Sequence, residues 1–115
     1  MLSYGSLVEL STLDRLLGPG GQRELSSAEL VDFEKVWVSG FGYPFVVPRR
    51  GKRVVGTLVE GLRATDYVKL DRYEGLSEGD YRRMQVRVRL LAVDRDEEVD
   101  AYVYALGPRW EDFIL

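Results

Sequence analysis

From Met84 to Ala105 the chain is written largely in alternation. Met84, Val86, Val88 and Leu90 are spaced by Gln85, Arg87 and Arg89, and Val99, Ala101, Val103 and Ala105 by Asp100, Tyr102 and Tyr104. A period of two places each apolar set on one face of a strand. Asp94, Asp96, Glu97 and Glu98 lie between the runs, and a segment so acidic stays in water. The two runs therefore predict a long antiparallel hairpin with one face to bury. A two-stranded ribbon is marginal alone, so the remaining residues must supply sheet or helix to cover that face.

The rest of the chain supplies both. Ser11-Thr12-Leu13-Asp14 reads as a helix start, a hydroxyl N-cap with an acid in the first turn, and the Gly-Pro-Gly-Gly of residues 18–21 reads as the loop that stops it. Val36-Trp37-Val38 and Phe45-Val46-Val47 are strand-like, separated by Gly40, Gly42 and Pro44, with Pro48 expected to end the second run. Arg53 to Glu60 reads as a further strand in which Gly56 marks a bulge or a close backbone approach. Thr65 is expected to cap a helix running to Tyr73 or Glu74, closed by Gly75. Many strands and two helices, with no repeat and no linker, predict one α+β domain over residues 1–115, built on a small, mostly antiparallel barrel-like sheet.

The chain contains no cysteine and no histidine. Disulfides, thiol nucleophiles, histidine-based triads and the commonest metal ligands are excluded, so any chemistry falls to carboxylates, hydroxyls, Arg, Lys and backbone amides. No metal site and no cofactor is expected. A net charge of -3 gives no broad basic field for nucleic acid. No apolar run has the length to span a bilayer and no leader is visible, which sets the expectation of a cytoplasmic protein without a membrane partner. Trp110, Phe113, Ile114 and Leu115 form an apolar tail, read as packing on its own domain rather than as an oligomer contact.

One helix carries an anomaly. Tyr67, Leu70 and Glu74 are spaced i, i+3 and i+7 and share a face, so a carboxylate lies at the end of what reads as the buried stripe. It also falls in the last turn, where the helix dipole disfavours negative charge. Burial and dipole both raise a carboxyl pKa, which is how a general acid/base near neutral pH is made. The alternative is a Glu74 that escapes to solvent or pairs with Arg82 or Arg83. A second candidate is Tyr4-Gly5-Ser6-Leu7, where a glycine and a small hydroxyl residue can present backbone N–H groups to an anion or oxyanion.

Tyr4-Gly5-Ser6-Leu7 resembles the N-terminal loop of the γ-glutamylcyclotransferase-like (avirulence-induced-gene-like) family. Gly42-Tyr43-Pro44-Phe45-Val46-Val47-Pro48, Val55-Gly56-Thr57-Leu58-Val59, Leu70-Asp71-Arg72-Tyr73-Glu74-Gly75 with Tyr81-Arg82-Arg83, and Asp100-Ala101-Tyr102-Val103-Tyr104 resemble its later motifs, in the same order. The resemblance implies a small mixed β-barrel with packed helices. It implies an enzyme in which the α-amine of a γ-glutamyl group attacks its own γ-amide carbonyl, giving 5-oxoproline and a released amine. It places the family's catalytic glutamate on Glu74, substrate anchoring on Tyr4, Gly5, Ser6 and Leu7, and a role in orienting Glu74 or substrate on Tyr104. The expected partner is a small γ-glutamyl compound, and the expected state a monomer or homodimer. A module of the same fold that binds a small ligand without turnover is the alternative.

Overall fold

The computed structural model describes residues 1–4, 13–18, 23–91 and 97–115. Its strands are β1 (Leu2–Ser3), β2 (Glu24–Val36), β3 (Phe45–Glu60), β4 (Tyr81–Leu90) and β5 (Glu98–Leu106). Residues 13–17 are helical (α1), Ala64–Tyr73 form α2, and Pro108–Phe113 form a 3-10 helix.

The predicted hairpin is β4 and β5, antiparallel with Val88 opposite Val99 and Met84 opposite Val103. Its apolar face closes into a barrel in the order β1-β3-β2-β4-β5. Among the described residues every pairing of these strands is antiparallel except the one that shuts the barrel, where β1 runs parallel to β5 through Leu2 and Val103. Leu2, Leu30, Val46, Leu58, Val88 and Val103 belong to the buried cluster that fills the interior. A second cluster, of Met1, Leu13, Val59, Leu70 and Tyr104, lies between the helices and the barrel wall. The C-terminal tail packs on its own domain: Val38 bridges Ile114, and the Trp110 ring stacks edge-on against Phe41 at 4.9 Å.

Two strand boundaries differ from expectation. The strand at Val36 begins twelve residues earlier, at Glu24, and Val38 lies outside it. Pro48 does not end its strand. β3 continues to Glu60 because residues 49–52 bulge out opposite Asp32, which itself has φ 63°. Gly51, at φ 85°, donates its N–H to Asp32 Oδ1 at 2.9 Å and fixes the bulge.

The start of α2 also differs. Arg63, not Thr65, is the N-cap, and the capping group is the Asp66 carboxylate, which accepts the Arg63 N–H at 2.9 Å. This is half of a capping box, made by an acid at N3 reaching back. The Arg63 N–H first, and the Arg63 side chain behind it, hold the Asp66 carboxyl below its ordinary 3.8 despite burial. A folded-state pKa below the unfolded one stabilises the fold above pH 4 and loses that contribution as pH falls through the lower, folded value. Asp66→Ala is therefore expected to cost about 1 kcal/mol at pH 7. Urea melts of both proteins at pH 7 and at pH 2–3 should show the difference shrink in acid, and a pH-independent difference would refute the assignment.

Candidate functional site

α2 is amphipathic, and its buried stripe runs through Leu70, which packs against Val59 and Tyr104 of the barrel wall. Glu74 follows that stripe as the C-cap residue, at φ -81° and ψ 0°, its N–H donating to Leu70 O at 2.8 Å. Gly75 then takes φ 67° and turns the chain away, as the sequence predicts. Glu74 is half-buried at the end of the stripe. Of the two arginines set out as its alternative partners, Arg82 pairs with Glu111 at 2.6 Å and Arg83 with Asp71 at 3.0 Å.

Tyr43 and Asp80 border the same end of the helix. Burial first, and then the negative charge of Glu74, push the Tyr43 hydroxyl above its usual value, with smaller contributions from Tyr73 and Asp80. Asp80 packs so closely on the helix terminus that a side-chain carbon at Gly75 would meet its Oδ2 at 2.6 Å. Its carboxylate is paired with Arg109 at 3.0 Å. Neither Tyr43 nor Asp80 was singled out from the sequence, although Tyr43 lies in a motif that carries the resemblance.

Tyr4 and Tyr104 meet. The Tyr4 hydroxyl donates to the Tyr104 carbonyl at 2.7 Å, and so ties the end of β1 to β5. The Tyr104 hydroxyl, on a side chain only 5% exposed, donates to Asp71 Oδ1 at 2.7 Å rather than to Glu74. Burial chiefly, and the Asp71 hydrogen bond next, push that hydroxyl far up, so it stays a donor at any physiological pH. The Arg83 guanidinium beyond Asp71 lies over the Tyr102 ring at 4.8 Å and the Tyr67 ring at 5.1 Å. Gly5, Ser6 and Leu7 lie outside the described residues.

A cavity of about 300 Å³ opens elsewhere, between the end of β3 and the start of β5. Glu60, Tyr67, Gln85, Asp100 and Tyr102 are among its lining residues; Glu74, Tyr4 and Tyr104 are not. Among the described residues, no group of three or more carboxylates is placed to hold a metal ion, and no helix is long and apolar enough to cross a membrane.

Residues 1–113 match the family described as gamma-glutamyl cyclotransferase, AIG2-like. AIG2-like protein D of Arabidopsis thaliana is 31% identical over 101 residues, an alignment covering 88% of this chain and 62% of that protein. The chain thus spans less than two thirds of the length of this curated relative. A solution structure of an Arabidopsis thaliana protein superposes with a TM-score of 0.73 at 25% identity, covering 95% of this chain and 71% of that one. A structure titled gamma-glutamyl cyclotransferase superposes with a TM-score of 0.71, covering 92% of this chain and 64% of that one. At 17% identity the latter likeness establishes the shared fold alone.

Proposed function

The chain belongs to the gamma-glutamyl cyclotransferase, AIG2-like family, and from that premise we propose that it is a cyclotransferase acting on a small γ-glutamyl compound, with Glu74 as its acid/base. The α-nitrogen of the γ-glutamyl group bonds to the γ-carbonyl carbon, and the original amide C–N bond breaks. The products are 5-oxoproline and an amine. Glu74 takes a proton from the attacking ammonium and returns one to the leaving nitrogen. Because nucleophile and electrophile belong to one molecule, holding a ring-closing conformer supplies much of the rate, and proton shuttling adds roughly 10²–10⁴-fold. Gly5, Ser6 and Leu7 anchor the substrate through their backbone groups, as the resemblance implies. The chemistry uses no cofactor or metal, and the protein works in the cytoplasm as a monomer or homodimer.

The observation that supports this reading is the position of Glu74. A half-buried carboxylate closes the buried stripe of α2 that runs through Leu70, and its negative charge reaches the Tyr43 hydroxyl. The test is a panel of γ-glutamyl amines, amino acids and crosslinked dipeptides, assayed for 5-oxoproline. Turnover of at least one compound is expected, and it should persist in a chelator. Saturable binding without any 5-oxoproline would favour the second reading, a binding module, for which the cavity between β3 and β5 is the supporting observation.

A further inference from the structure

Resting on the acid/base reading of Glu74 and on the orienting role the resemblance implies for Tyr104, we infer that Asp71 is the positioning residue through which Tyr104 acts, joining the helix turn that carries Glu74 to the strand end that carries Tyr4. Tyr104 bonds in two directions. Its carbonyl accepts the Tyr4 hydroxyl at 2.7 Å, and its own hydroxyl donates to Asp71 Oδ1 at 2.7 Å. Asp71 stands three residues before Glu74, one turn back on α2, so holding Asp71 fixes both the rotation and the axial position of the terminal turn.

The link is polar where an apolar contact would bury the same surface. Asp71 is a carboxylate in the C-terminal half of α2, where the dipole disfavours it. It is kept there by Arg83, whose NH1 lies 3.0 Å from Oδ2 and 3.1 Å from Oδ1. Arg83 cannot swing freely, because its guanidinium lies over both Tyr67 and Tyr102. The order is strand, carboxylate, clamped cation. Such an arrangement sets one orientation, whereas greasy packing tolerates several. Tyr104 is linked to Glu74 through Asp71 and the helix turn that the two acids share, and its action is geometric.

Tyr104→Phe keeps the ring and the backbone acceptor and removes only the hydroxyl. The expected result is a fall in kcat of roughly 10-fold with KM changed by less than about 2-fold, since misplacing a reacting group costs rate more than binding. The Glu74 carboxyl, followed by side-chain 13C NMR, is expected to titrate at a different pH in the variant. Asp71→Asn still accepts the tyrosine proton and should retain most of the rate, while Asp71→Ala should match Tyr104→Phe. If the wild type makes no 5-oxoproline, the cyclotransferase reading fails, and positioning is then decided by the Glu74 titration alone. If Tyr104→Phe does not fold, the Asp71→Asn and Asp71→Ala pair decides on both readouts. Unchanged Glu74 titration with unchanged kcat, at a temperature where all variants are folded, would overturn the inference.

Discussion

Glu74→Gln is expected to lower 5-oxoproline production by roughly 10²-fold or more while leaving the fold intact. The amide is nearly isosteric, and the bonds that end α2 are made by main-chain groups, Glu74 N–H to Leu70 O at 2.8 Å and Gly75 N–H to Arg72 O at 3.2 Å. Removing a negative charge from a helix C-terminus relieves an unfavourable dipole interaction worth about 0.3–1 kcal/mol, so the melting temperature should hold or rise slightly. Catalysis loses far more, because a carboxamide cannot take up and release a proton near neutral pH. Substrate affinity should change little. Tyr43 supplies a readout that needs no substrate. Part of its raised pKa comes from the charge of Glu74, so its hydroxyl should titrate lower in the Gln variant, by ultraviolet difference spectroscopy. Near wild-type turnover in Glu74→Gln would make the carboxylate structural. Unchanged Tyr43 titration would place Glu74 farther from Tyr43 than its charge requires.

The parts of this molecule that could be read in advance are those set by short-range periodicity. In β4 and β5 the apolar residues alternate from Met84 to Leu90 and from Val99 to Ala105, and the buried Val88, Leu90, Val103 and Ala105 are residues alternation selects, whereas the burial of Tyr104 between the last two is not. The buried stripe of α2 was legible for the same reason, and with it the half-buried position of Glu74. β2 was not. Ala28 and Leu30 point into the barrel, but the bulge at Asp32 shifts the phase, so the next buried residue is Phe33 rather than Asp32. A period-two template fails across that insertion. The matching bulge at residues 49–52 let Pro48 sit inside a strand, where the proline rule predicted an end. In the site, the Asp71 contacts escaped because they join residues 12 and 33 positions apart. Nothing local marks Asp71 as different from any exposed helix acid. Glu74 stood out because its own helix contradicts its charge, whereas Asp71 acquires its meaning only when β4 and β5 are laid beside α2.

A large structural effect is expected from Gly56→Ala. Gly56 lies in β3 opposite Ala28, and β1 passes so close over it that a Cβ would collide with the Ser3 carbonyl oxygen and press on the Leu2 side chain at 3.4 Å. The collision is with backbone, so no side-chain rotation relieves it. β1 is only two residues long and is held by Leu2 against Leu58, Ser3 against Thr57, and Leu2 against Val103. Pushing Ser3 away threatens the one pairing that closes the barrel. The expected cost is about 3 kcal/mol, at the upper end of overpacking penalties. For a chain of this length that lowers the melting temperature by roughly 10–15 °C. Gly42→Ala is the control: nothing lies within 4 Å of a Cβ there, and its stability should stay within about 0.5 kcal/mol of wild type. The damage should extend beyond stability. Tyr4 follows Ser3 directly, so moving β1 strains the Tyr4 to Tyr104 hydrogen bond and loosens the end of the strand that carries the candidate anchoring loop. At a temperature where Gly56→Ala remains folded, its affinity for a γ-glutamyl substrate should fall, while Gly42→Ala binds as wild type does. Denaturant melts and ligand titrations on the three proteins decide the matter. A Gly56→Ala protein as stable as Gly42→Ala would mean that β1 can move off Gly56 at no cost, and that barrel closure does not depend on it.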